Sequence, residues 1–427
     1  MSTLQTVPSS QLSLPVRKAW DILAGITEPL MVQKTLDGYI AYLDFIDLLV
    51  ANELESGLRS LDKLGEKKPA LPLRFSGWVG FCSYDLLAAN MGMRLTSKKD
   101  FDAPEIYFGR PATLIHIHEE ECLVESAHQG RINELLEQSN AQGTQDFSSC
   151  GEERHETMHC NLSFEAYSRL FYEALEAIRS GETYQIKISQ RYECERKLVP
   201  LHLFRRLEAL NPSPESFLLS SRDFAMISCS PETVIRKRGS RLQTRPIGGT
   251  WEKKSFHDAT NESHVRQFDT NEKERHEHNM LVDLERNDLS RICRRGSVQV
   301  KAYRSIEPYA HLYHFVSTIE GTVKDGLYPQ EIFRAMLPGG TITGCPKWRT
   351  MEWIDHLEPV ARGPYTGSFG WISDFGDMHM NLIIRTIMGL GSRVFAQAGG
   401  GIVVDSSPEY EYNENQLKAR ALLEVLR

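Results

Sequence analysis

Strand-like and helix-like runs are interspersed along this chain without the regular alternation that builds a parallel, doubly wound sheet. That irregularity constrains the fold more than any other feature. The clearest helix lies at 163–181: Ser163 can cap it, Phe164, Tyr167, Phe171, Ala174, Leu175 and Ile178 recur on one face, and Gly181 can end it. The run YQIKISQRYE (184–193) follows at once. Its alternation puts Tyr184, Ile186 and Ile188 on one face and Gln185, Lys187, Ser189 and Arg191 on the other. Further helices are expected near 271–285 and 407–426, and strands at 382–389 and 393–398. A buried strand runs into a helix over 76–90, and residues 1–75 read as helical. This order points to an α+β architecture. The 427 residues allow one large unit or two fused halves. The polar stretch 140–161 has no apolar periodicity and reads as a linker, dividing an N-terminal part, 1–150, from a core, 151–427.

Charge and cysteine usage narrow the function. The formal net charge is −8, which argues against nucleic acid as a partner, and an anionic substrate would need cations supplied locally. The eight cysteines are scattered with no C-x-x-C pair, as suits a reducing cytosol. Asp44 and Asp47 interrupt the most apolar early segment, so no membrane span is expected. No basic stretch precedes an apolar one, so neither is a secretory leader.

Two motifs mislead. HETMH (155–159) matches the zincin pattern, but it lies in the polar stretch with no apolar face to bury it. Bound zinc lost on changing His155 and His159 would be its signature. GGTITGCPK (339–347) is similar to a phosphate loop, yet Gly344 is followed by Cys-Pro-Lys, and the proline removes a backbone donor.

The sharper signal is a pair of E-x-x-E arrangements, Glu274 with Glu277 and Glu411 with Glu414, each on one face of an expected helix. Such pairs are either solvated acidic faces or carboxylates that share a cation. The first runs into the apolar MLVDL, and the second follows the glycine turn of FAQAGGGIVVDS. Carboxylates without nearby cysteine or histidine suit a hard cation such as Mg²⁺, which takes only one or two of them directly. Lys418 falls one turn beyond Glu414. Arg385, in an apolar strand-like run, needs an anionic partner.

The blocks SCSPET (228–233), RPIGGT (245–250), EKERHEHNMLVDLERNDL (272–289), HLYHFVSTIEG (311–321), PGGTITGCPKWRTMEWIDHLEP (338–359), GPYTGSFGW (363–371), IIRTI (383–387) and AGGGIVVDSSPEYEYNENQLKA (398–419) resemble, in order and spacing, the chorismate-utilising enzymes. That family comprises anthranilate synthase component I, aminodeoxychorismate synthase component I, isochorismate synthase and salicylate synthase. The resemblance covers residues 160–427. It implies large antiparallel sheets packed together with helices outside. It further implies that Glu277 and Glu414 bind Mg²⁺ directly while Glu274 and Glu411 order its waters. Tyr365 and Arg385 would clamp the enolpyruvyl carboxylate of chorismate, with Thr341, the Gly399, Gly400 and Gly401 backbone and Lys418 completing the cradle. Glu232 matches the acid that protonates the departing C4 hydroxyl, and His314 the imidazole beside the ring. The intact set also argues against a non-catalytic binding relative.

Two positions bear on the branch. Members that add water place a general-base lysine where this chain has Gln185, which cannot deprotonate water, so amination by ammonia is the better reading. Aminodeoxychorismate synthases typically read P-I-K-G-T and anthranilate synthases P-I-A-G-T; this chain has Gly248 there, which forbids a lysine adduct at C2 and leans to anthranilate synthase. TYQIKISQRYE, PGGTITG and IIRTI lean to the aminodeoxychorismate branch, in which lysine-free members are thought to use ammonia at C2 and a second ammonia at C4. No G-x-C-x-G nucleophile elbow is present, so a separate glutamine amidotransferase subunit is expected to supply ammonia.

Overall fold

The structure, a computed structural model, describes residues 10–27, 29–142, 158–253, 262–309 and 312–427. Its strands all pair antiparallel and form two arms that share the long strand Ile106–Ile117. One arm runs through Gly38–Ala51, Leu30–Thr35, Glu215–Ser220, Phe224–Ser230, Thr386–Leu390 and Arg393–Ile402 to Ile186–Glu195. The other runs through Gly77–Cys82, Ser368–Ser373, Met378–Asn381, Thr233–Arg238 and Arg241–Thr244 to Leu312–Thr322. The arms face each other across an aromatic core. Phe217 of the first stacks on Phe369 of the second with ring centroids 3.9 Å apart, and Phe81 stacks on Phe224 at 5.7 Å.

The family-like α+β reading is what the chain adopts, and several local expectations hold. Ser163 caps the helix Phe164–Arg179, and the strand Ile186–Glu195 buries Ile186 and Ile188. Gly77–Cys82 leads directly into the helix Tyr84–Asn90.

Three expectations are corrected. Residues 10–75 hold three strands as well as two helices; Leu30–Thr35 and Gly38–Ala51 pair with each other across Leu36 and Asp37, and Leu30–Thr35 also pairs with the distant Glu215–Ser220. The run 382–389 is a strand only from Thr386, because Arg385 takes a left-handed backbone at φ 50°. Gly399–Gly401 form no turn. They continue the strand Arg393–Ile402, opposite Ser189, Ile188 and Lys187.

His155 and Glu156 of the zincin-like stretch lie outside the described residues, and His159 sits exposed in the two-residue strand His159–Cys160. Among the described residues no helix is long and apolar enough to cross a membrane.

Candidate active site

The glycine strand explains how one cavity can gather so many polar groups. A β-carbon on Gly401 would collide with Gln185 Nε2 and lie 2.8 Å from Lys187 Nζ. One on Gly400 would lie 2.8 Å from Asn415 Oδ1 and 3.2 Å from Glu414 Oε2, and one on Gly399 would lie 3.1 Å from the Tyr365 hydroxyl. Bare backbone is therefore what lets side chains from three other segments meet here.

Two helices bring the carboxylates. Asn271 caps Glu272–Ile292, which carries Glu274 and Glu277, and Ser407 caps Pro408–Val425, which carries Glu411 and Glu414; all of them line the cavity. Lysines stand against three of these carboxylates, Lys187 against Glu277 at 3.4 Å, Lys418 against Glu414 at 3.3 Å and Lys273 against Glu411 at 3.5 Å. Gln185 donates to Glu277 Oε1 at 2.8 Å, and Lys418 also donates to the Gly399 carbonyl at 3.2 Å.

Burial foremost, and then the charge of Glu414, push Glu411 up to about 7. Burial also works to raise Glu414, but Lys418 and Lys187 hold it below the usual glutamate range. Glu277 and Glu414, one from each helix, could share a hard cation. Among the described residues no three Asp, Glu, His or Cys side chains form a ready ligand cage. A cation such as Mg²⁺, which keeps most of its positions for water and substrate, needs no such cage, so the all-oxygen donor set fits it.

Glu232 lines the same cavity, just beyond the strand Phe224–Ser230, and is 5 % exposed. Thr341 donates its hydroxyl to Glu232 Oε1 at 2.7 Å, and burial pushes the carboxyl up to about 8. It therefore holds a proton at neutral pH. His314 donates Nδ1–H to the Gly249 carbonyl at 2.8 Å, because a carbonyl can only accept; its Nε2 is left bare and has no hydrogen-bond partner among the described residues. Burial and then the charge of Arg385 push this imidazole down to about 3, so it is neutral.

Arg385 and Tyr365 line the same cavity, with no carboxylate paired to Arg385 among the described residues. Arg385 has a left-handed backbone immediately before the strand Thr386–Leu390. Gly248 lines the wall as well, but a β-carbon there would point at helix Glu272–Ile292, 2.8 Å from Leu281 Cδ1 and 2.9 Å from His278 Nδ1.

The candidate site residues line one cavity, except Gln185, which donates to Glu277 of its wall, and Gly400, which lies between the lining Gly399 and Gly401. Lys187 and Lys273 line the cavity as well. Of these two, Lys187 is legible in the sequence, since alternation puts it on the face of Gln185.

A profile of the family described as chorismate binding enzyme matches residues 32–424, reaching well upstream of the motif blocks. Aminodeoxychorismate synthase component 1 of Bacillus subtilis is 37% identical over 361 residues, 82% of this chain and 77% of its own length. Anthranilate synthase component 1 of Thermus thermophilus is 35% identical over 371 residues, 84% of this chain and 79% of its own. The crystal structure of anthranilate synthase component I from Streptococcus pneumoniae superposes with a TM-score of 0.74 at 25% identity, covering 98% of this chain and 93% of that one. The chain therefore belongs to the chorismate-binding enzyme family.

Proposed function

We propose that this chain aminates chorismate to 4-amino-4-deoxychorismate, using ammonia from a glutamine amidotransferase subunit, in the cytosolic route to 4-aminobenzoate and folate. The observation that carries the reading is the pairing, in one cavity, of a protonated carboxyl at Glu232 with an anion-binding wall at Arg385 and Tyr365. In this reading Arg385 and Tyr365 hold the enolpyruvyl carboxylate, and the Gly399–Gly401 backbone, Thr341 and Lys418 hold the remainder of the substrate. Mg²⁺, held by Glu277 and Glu414 with Glu274 and Glu411 ordering its waters, would supply positive charge to the ring carboxylate. Glu232 gives its proton to the C4 hydroxyl, which leaves as water while ammonia adds to the ring. The bare Nε2 of His314 can accept a proton beside the ring. Gln185 cannot activate water, which favours ammonia over hydration.

Addition at C4 is supported by the Bacillus subtilis relative and by the wording of TYQIKISQRYE and IIRTI. The second reading, anthranilate formation by amination at C2 with loss of pyruvate, is favoured by Gly248, whose neighbours His278 and Leu281 leave no room for a lysine. Product analysis separates the two. The chain is incubated with chorismate, Mg²⁺ and ammonium at mildly alkaline pH, with and without aminodeoxychorismate lyase. 4-Aminobenzoate that needs the lyase supports the first reading; anthranilate without it replaces the first with the second.

A further inference from the structure

The helix Glu272–Ile292 carries an unusual load on its buried side. Its inward stripe includes His278, Leu281, Leu289 and Ile292, as packing against a sheet requires, but Glu285 and Asp288 lie on the same stripe, 2 % and 0 % exposed. Buried carboxylates need partners, and the segment 340–347 supplies one to each, with the strand Arg241–Thr244 adding a second to Glu285. Glu285 Oε1 accepts from the Gly340 backbone N–H at 3.1 Å, and its Oε2 accepts from the Thr244 hydroxyl at 3.2 Å. One turn further, Asp288 Oδ2 takes Lys347 Nζ at 2.5 Å. The loop is thus gripped at residues 340 and 347, and the approach at the first grip is close enough to demand glycine. A β-carbon on Gly340 would lie 2.6 Å from Leu284 Cδ2 and 3.0 Å from Glu285 Oε1.

The residue after the first grip is Thr341, whose hydroxyl meets Glu232 at 2.7 Å. We propose that Glu285 is a positioning residue for the acid Glu232, fixing through Gly340 the loop that presents Thr341 to that acid and tying that loop through Thr244 to the strand Arg241–Thr244. The inference rests on the reading of Glu232 as the proton donor. It has an electrostatic side as well. Glu232 is faced by Lys187 from the strand Ile186–Glu195, by Glu285 from the helix and by Tyr309 at the end of Gln299–Pro308. Glu285 is faced by Asp288 and Lys347, and burial with Asp288 pushes it up to about 7. The negative charge of ionised Glu285 raises the carboxyl of Glu232 and so helps keep it protonated.

The test compares Glu285→Gln, which keeps an acceptor for Gly340 but loses the charge, with Glu285→Ala, which loses both. The readouts are pH profiles of kcat at constant free ammonia, chorismate affinity by calorimetry, and Tm. For Glu285→Gln the alkaline limb of kcat should move to lower pH by about half a unit to one unit, roughly three- to tenfold in the proton equilibrium, with chorismate affinity changed less than about twofold. For Glu285→Ala kcat should fall by up to about a hundredfold, the scale of a roughly 1 Å misplacement. An unshifted limb in Glu285→Gln overturns the proposal. So does failure of both variants to fold, which would make Glu285 a packing residue only. Glu232→Gln, assayed alongside, tells the two readings apart. If it still turns over chorismate, the acid assignment itself is wrong; if it is inactive while the Glu285→Gln limb stays put, only the positioning role falls.

Discussion

Gly248 and His278 are packed so closely that a β-carbon at position 248 would stand 2.9 Å from His278 Nδ1. Gly248 borders the cavity through its backbone, while the direction of any side chain it might carry leads into helix Glu272–Ile292. The imidazole itself is fixed, since its Nε2 shares a hydrogen bond of 2.7 Å with Ser317 Oγ. The branch question therefore involves a pair of positions rather than one.

Gly248→Ala should destabilise the fold by about 1–3 kcal/mol through overpacking, seen as a lower Tm. Gly248→Lys should give no covalent adduct with chorismate by intact mass, whereas Gly248→Lys combined with His278→Ala opens a path toward the cavity. An adduct in the single variant would mean that His278 yields more easily than its burial and hydrogen bond indicate.

Glu414→Gln should weaken Mg²⁺ binding at least about tenfold by calorimetry and reduce turnover by two orders of magnitude or more, roughly the range of losing a metal ligand or its partner. Turnover equal to that of the unchanged chain would remove the metal assignment.

Glu232→Gln should bind chorismate nearly as well as the parent and fail to release the C4 hydroxyl. Stability offers an independent check. The folded carboxyl sits at about 8, above its unfolded value. The native state therefore holds a proton that the unfolded chain gives up, and stability falls as pH rises from the unfolded value through about 8. Removing the ionisable group should make the variant more stable than the parent at pH 8–9, by an amount on the order of a few kcal/mol, and indistinguishable from it near pH 4. A Tm difference that does not vary with pH would contradict a raised value for Glu232.

Arg385→Lys should raise KM for chorismate about tenfold or more while lowering kcat less, because an ammonium cannot give a carboxylate two parallel hydrogen bonds. An unchanged KM would mean that the enolpyruvyl carboxylate lies elsewhere.

Much of the site was legible because its groups sit at helical or alternating spacing. The two E-x-x-E pairs face the cavity as their spacing requires, and Gln185 shares its strand face with Lys187. What was illegible depends on contacts distant in sequence. Strands Leu30–Thr35 and Gly38–Ala51 form a local hairpin, but they lack a clean polar–apolar alternation because Leu30–Gln33 and Ile40–Leu43 are buried on both faces, against partners at Glu215–Ser220 and Ile106–Ile117. Arg385 was placed in a strand because a left-handed residue has no signature when it is not glycine or asparagine. Glu285 gave no signal, since a glutamate in a helix is ordinarily a surface residue and only the loop folded beneath it explains its burial.

The interleaving of early and late strands has a consequence for how the molecule could be divided. Leu30–Thr35 lies against Glu215–Ser220, and Gly77–Cys82 against Ser368–Ser373, so each arm is stitched from both ends of the chain. A peptide bond broken between residues 142 and 158 should therefore yield two fragments that remain together as a single non-covalent particle. Neither alone would have a closed sheet to fold around, and the pair would serve as a split reporter whose reassembly restores the cavity.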